Sequence, residues 1–113
     1  MNPDPQDLRR AAEIFKVLSH PARLALACRI VDGEPTTQRE LIAELGWPQS
    51  TMARHLAPLR QLGLIVGHRK GPEVVLAAGC PVTRDLMAVV CRWVHPETGE
   101  RFAQEYRGAD AEA

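Results

Sequence analysis

Gln49, Ser50, Thr51, Arg54 and His55 set five polar side chains among the apolar residues Met52, Leu56, Leu59 and Leu62. Groups of this kind read nucleic acid. A glutamine bonds adenine through two hydrogen bonds, an arginine does the same to guanine, and hydroxyls suit phosphates or base edges. Further along, Arg69 and Lys70 stand between Gly67 and Pro72 as a second cationic point. Such a pair reaches a neighbouring minor groove or the phosphate backbone. These seven residues are the candidate DNA contacts.

The elements that must hold them run from Thr37 to Leu64 and read as two helices split by a tight turn. Thr37-Gln38-Arg39-Glu40 has capping-box spacing, in which the hydroxyl and carboxylate satisfy backbone donors reciprocally. Leu41 and Leu45 continue one apolar face, Gly46 ends it, and Trp47-Pro48 leads into the next helix. There Met52, Leu56, Leu59 and Leu62 recur at helical spacing and are expected to face inward, with the polar set opposite. Pro58 removes a backbone bond at a cost of about 3 kcal/mol in a regular helix, so a bend or loosening is expected after Ala57. Gly63 closes the helix. Leu64-Ile65-Val66 and Val74-Val75-Leu76 then read as strands joined by a cationic tip over residues 67–72.

Two helices precede this unit and one follows it. Asp4-Pro5-Gln6-Asp7 is a helix start, after which Leu8, Ala11, Ala12, Phe15 and Leu18 form a stripe. Pro21 opens a second helix with Leu24, Ala27, Cys28 and Val31 inward, and Asp32-Gly33 stops it. The last helix, Val82–Val94, carries Val82, Leu86, Val89, Val90 and Trp93 on one side. The expected fold is mainly α with a small β-hairpin wing, a winged helix-turn-helix in the order ααααββα. Residues 1–96 form its DNA-binding and dimerisation domain, and residues 97–113 an acidic, partly disordered tail.

The chain has 113 residues, 45% apolar and 25% charged, which suits one small globular domain. Its longest apolar run, Leu86–Cys91, is too short to span a bilayer. No signal segment opens it, and the expected location is the cytoplasm. Formal net charge is zero, yet no acid falls between Glu44 and Glu73, a window holding Arg54, Arg60, Arg69 and Lys70. Local basicity of that kind is what phosphate contact requires. A phosphate-cradling glycine loop, a useful carboxylate pair and a nucleophile–base signature are all lacking, so an enzyme is not expected.

Two stretches carry a resemblance. Residues 15–24, FKVLSHPARL, and residues 49–65, QSTMARHLAPLRQLGLI, resemble the opening signature and the recognition helix of the ArsR-type (ArsR/SmtB) repressors. The resemblance covers roughly Leu8 to Trp93. It implies a homodimeric winged-helix repressor on an imperfect inverted repeat of double-stranded DNA. The first and last helices would form the dimer interface, and a small inducer would release the operator. Pro48 stands where relatives place a capping serine.

The resemblance also points to sensing sites. The thiol pair of arsenic sensors is missing from Thr36–Glu40. A family site on the last helix makes Cys80, Cys91 and His95 candidate ligands for zinc or another thiophilic metal. Cys80 and Cys91 lie about 16 Å apart along a helix, so both could meet one ion only across antiparallel helices of two copies. Cys28 occupies the place of a reactive cysteine in the redox-sensing branch, with Cys91 as its mate. The competing readings are that these cysteines are simple packing residues, and that the whole chain is a winged-helix protein-interaction module without DNA binding.

Overall fold

The computed structural model describes residues 4–98. The tail expected over residues 97–113 therefore lies almost wholly outside the described residues. Five helices and three short strands follow one another as α1 (Pro5–Leu18), α2 (Pro21–Asp32), β1 (Thr36–Thr37), α3 (Gln38–Leu45), α4 (Gln49–Gln61), β2 (Ile65–Lys70), β3 (Glu73–Ala78) and α5 (Pro81–Val94). This is the expected winged helix-turn-helix with one addition, the strand β1. Two residues are too few to leave a period-two pattern, so nothing in the sequence announces it. Its Thr36 and Thr37 pair with Leu76 and Val75, giving an antiparallel sheet in the order β1-β3-β2.

Local chemistry sets the helix ends. The Asp4 carboxylate accepts the Gln6 N–H at 2.8 Å, and the Thr37 hydroxyl accepts the Glu40 N–H at 3.1 Å, each cap contributing about 1 kcal/mol. Thr37 also donates its hydroxyl to the Glu40 carboxylate at 3.2 Å. Gly46 ends α3 in the left-handed region at φ +70°, a conformation that costs glycine nothing. At Gly79 the constraint is space, because a Cβ there would collide with the Gly63 carbonyl. Pro58 does not end α4, which stays helical to Gln61. The expected loosening after Ala57 is absent.

The core is centred on α2, where Ala22, Leu26, Ala27, Cys28 and Val31 are all buried. Small alanines let α4, α5 and the sheet approach it closely. Leu41, Met52, Leu59 and Ile65 close around it, fully enclosed, each such side chain contributing about 1.5–3 kcal/mol by leaving water. Arg29 fixes α3 to α2: its Nε and Nη2 donate to the Glu44 carboxylate at 2.7 and 2.9 Å, and its Nη1 to the Glu34 carbonyl at 3.2 Å. The Glu44 carboxylate accordingly raises the pKa of Arg29, against the opposing effect of burial.

The outer helices behave differently. Only Val17 of α1 is buried, while Leu8 and Phe15 stand 58% and 66% exposed. On α5, Thr83, Met87 and Cys91 face the core, and Val82, Val89, Trp93 and Val94 are exposed. The two apolar stripes expected from the sequence therefore exist, but they are turned largely away from the protomer's own core.

Candidate nucleic-acid interface

Helix α4 has no side-chain cap, since its N-cap is Pro48. Its inward side holds Met52, Leu56 and Leu59, and also Thr51 and His55. The outward side presents Gln49, Ser50, Ala53, Arg54 and Ala57. Ser50, Ala53, Arg54 and Ala57 follow at i, i+3, i+4 and i+7, so they form one continuous stripe.

Two of the seven expected contacts are thereby corrected. Thr51 is 5% exposed and His55 only 1%. A helix seated against a core buries an arc wider than 100°, and both residues fall one turn apart beside Met52, Leu56 and Leu59. The His55 ring meets His20 edge-on at 4.6 Å between centroids, and Trp47 at 5.5 Å. It is a spacer beneath the helix, away from the exposed stripe. Leu62 errs the other way: it caps α4 and is 38% exposed. Ala53 and Ala57 escape sequence reasoning, because alanine is the commonest filler of any helix. Exposed on a reading helix, their methyl groups are suited to the thymine methyl.

The wing is longer and tighter than expected. β2 and β3 pair from Ile65↔Ala78 to Lys70↔Glu73, leaving only Gly71-Pro72 as the turn. Gly71 takes φ +63°, which a two-residue hairpin turn favours. His68, Arg69 and Lys70 thus lie on the strand, all exposed. Successive strand residues point to opposite faces, so Arg69 and Lys70 charge both sides of the wing end. Arg60 lies against the wing's base: a Cβ at Gly67 would stand 3.1 Å from its Nη2. Beside the tip, Arg39 of α3 donates Nη2 to the Glu73 carboxylate at 3.4 Å, which sets a further exposed guanidinium between α3 and the wing. Its distance from the wing in sequence hides that neighbourhood.

The sulfur-bearing residues separate into two environments. Cys80 is exposed at the N-cap of α5. The Thr83 backbone N–H foremost, then the Thr83 hydroxyl and the Val82 N–H, hold its thiol below the ordinary thiol range. Cys91 is buried against the core at 0% exposure, and the His95 N–H caps α5 on the Cys91 carbonyl at 2.8 Å. Within one protomer the expected metal set of Cys80, Cys91 and His95 is not brought together: Cys91 is buried in the core while Cys80 is exposed. Among the described residues no three of His, Cys, Asp and Glu gather as a metal site. Cys28 and Cys91, by contrast, both face the packing between α2 and α5. There Cys28 Sγ lies 3.6 Å from Met87 Sδ.

Known proteins share this architecture. Residues 18–68 match a family model described as a helix-turn-helix domain. An uncharacterized HTH-type transcriptional regulator of Mycobacterium tuberculosis, Rv0081, is 30% identical over 92 residues, 81% of each chain. Its crystal structure superposes with a TM-score of 0.70 at 25% identity, covering 83% of this chain and 93% of that one. A biofilm growth-associated repressor of Agrobacterium fabrum is 37% identical over 75 residues, 64% of this chain and 63% of its own. The homodimeric winged helix-turn-helix DNA-binding domain of Mb0332 from Mycobacterium bovis shares the fold with a TM-score of 0.72 at 21% identity, covering 85% of this chain and 89% of that one. Among the described residues no helix is long and apolar enough to cross a membrane.

Proposed function

The chain belongs to the ArsR/SmtB family of helix-turn-helix transcriptional regulators, and from that premise we propose that it is a cytoplasmic homodimeric repressor. Residues 1–96 form the DNA-binding and dimerisation unit. One observation carries the reading of DNA: the acid-free stripe Gln49, Ser50, Ala53, Arg54 and Ala57 is exposed beside a wing ending in Arg69 and Lys70. Arg54 supplies a bidentate contact to guanine, Gln49 one to adenine, and the wing cations hold the phosphates on either side. Arg39 joins them once a phosphate competes with Glu73.

Dimerisation follows from the apolar surface of the outer helices. Leu8 and Phe15 on α1 and Val82, Val89 and Trp93 on α5 are too large and too numerous to be left in water. A second copy that covers them gives a two-fold protein, which matches an imperfect inverted repeat with half-sites about 34 Å apart. Several homologous proteins are named as repressors. The inducing signal is received by the sulfur face of Cys28 and Cys91, which both lie in the core that α2 and α5 share.

The test is a binding titration of the full chain on its own upstream DNA across a salt series. A repressor of this design loses affinity steeply with salt, because bound cations displace counterions from the phosphates. Salt-independent or absent binding, with a protein partner recovered through α4 instead, overturns the reading in favour of an interaction module.

A further inference from the structure

Glu73 is the one carboxylate between Glu44 and Asp85, a stretch that holds α4 and the whole wing. It stands at the wing's end, where an acid works against phosphate contact. Lys70 is its directly opposed residue across the hairpin, so these two side chains share one face of the sheet. Arg39 of α3 donates Nη2 to the Glu73 carboxylate at 3.4 Å. The strand β1 sets that meeting. Its Thr37 pairs with Val75, and Arg39 and Glu73 lie two residues beyond that pair on their two segments, so α3 begins beside the wing tip.

We propose that Glu73 stands in for a DNA phosphate: it holds Arg39 in the free protein and yields it to the backbone when α4 enters the groove. The inference rests on the repressor reading and adds to it the residue that regulates one of its phosphate contacts. The geometry allows the exchange. Arg39 and Glu73 line an open groove of about 450 Å³ with Thr37, Gln38, Pro72 and Val74, which leaves room for a phosphate group. The side chains of the pair are 88% and 47% exposed, and an ion pair so open to water is weak. Arg29 offers the contrast, since two bonds to Glu44 at 2.7 and 2.9 Å fix α3 on α2.

The exchange has a consequence for salt. When a phosphate replaces the carboxylate on Arg39, one cation leaves the DNA. The freed Glu73 carboxylate takes one cation from solution in return. The two cancel, so the Arg39 contact adds almost nothing to the salt dependence of binding. Without the acid, the same contact releases a cation outright.

The test is a salt-series anisotropy titration of the full chain on a labelled duplex of its own upstream DNA. It compares the parent with Glu73→Gln, Arg39→Ala and the double variant. Both positions are exposed, so circular dichroism and thermal melting should match the parent. Glu73→Gln is expected to bind about three- to tenfold more tightly near about 0.1 M salt, and to steepen the log–log salt slope by about 1. Arg39→Ala leaves the slope where it was, and the double variant returns it to the parent value. A slope unmoved by Glu73→Gln, or steepened equally with and without Arg39, overturns the proposal, because the acid then acts through its field alone or not at all. Absence of DNA binding by the parent at every salt concentration overturns the repressor reading, and this inference with it; firm binding with an unmoved slope overturns the inference alone.

Discussion

His55 meets His20 edge-on, ring centroids 4.6 Å apart, and this contact couples the underside of the recognition helix to the start of α2. Trp47 closes the other side of the same ring at 5.5 Å. His55 is one residue from Arg54 in sequence, yet the two do opposite jobs. His55→Ala removes a buried ring and leaves a cavity, so unfolding in urea is expected to move down by about 2–4 kcal/mol. A variant as stable as the parent, with DNA binding weakened, would return His55 to the DNA surface.

Arg54→Ala reverses that pattern. Arg54 is exposed, so stability should change by no more than about 0.5 kcal/mol. Affinity for the upstream DNA falls by about 1–3 kcal/mol, and preference at one base pair relaxes. Gel-shift titration against a panel of single-base variants separates the two effects.

The wing cations are expected to act without regard to sequence. Replacing Arg69 or Lys70 by alanine weakens binding to specific and non-specific DNA alike, and lowers the log–log salt slope by about 1 for each phosphate no longer neutralised. A change confined to one DNA sequence would mean that the wing reads bases.

Trp93 is 84% exposed on the outer face of α5, the largest apolar group in the surface assigned to the dimer. Trp93→Asp should convert the protein to a monomer in sedimentation while circular dichroism stays unchanged. DNA affinity then falls by about 2 kcal/mol or more, as removal of a central aromatic anchor does elsewhere. A dimer that survives this substitution places the interface on another face.

Cys80 should be the first thiol alkylated. Hydrogen bonding from the Thr83 backbone N–H lowers its pKa, which raises the thiolate fraction near neutral pH. Reaction with iodoacetamide slows as pH falls through that lowered value. Cys28 and Cys91, both enclosed, react more slowly. Peptide mass spectrometry along a pH series gives the order directly.

Much of the interface is legible without coordinates. Gly46, the Thr37–Glu40 capping box, the Asp4 cap and the hairpin signal are local features, and local sequence sets them through backbone conformation and caps. Gln49, Ser50 and Arg54 fall on the exposed face, as expected, because the helical period is fixed. Thr51 and His55 do not, because periodicity locates the centre of the buried arc and not its width. That width depends on what packs against α4, here Trp47 and His20, whose proximity no spacing encodes. Pro58 misleads for a related reason: its intrinsic cost is a property of the residue, but the packing that holds α4 regular to Gln61 is not.

Residue order alone is enough to say which segments are helices, where they begin and stop, and that the middle of the chain carries cation without acid. Those properties follow from residue type and from neighbours a turn away. The folded chain adds which polar residues of Thr37–Leu64 remain in water, that Arg39 stands beside the wing, and that Cys28 touches Met87 across 59 positions. Contacts of that separation depend on how whole helices cross, which is fixed by the shape of the shared core and by no pattern within one element.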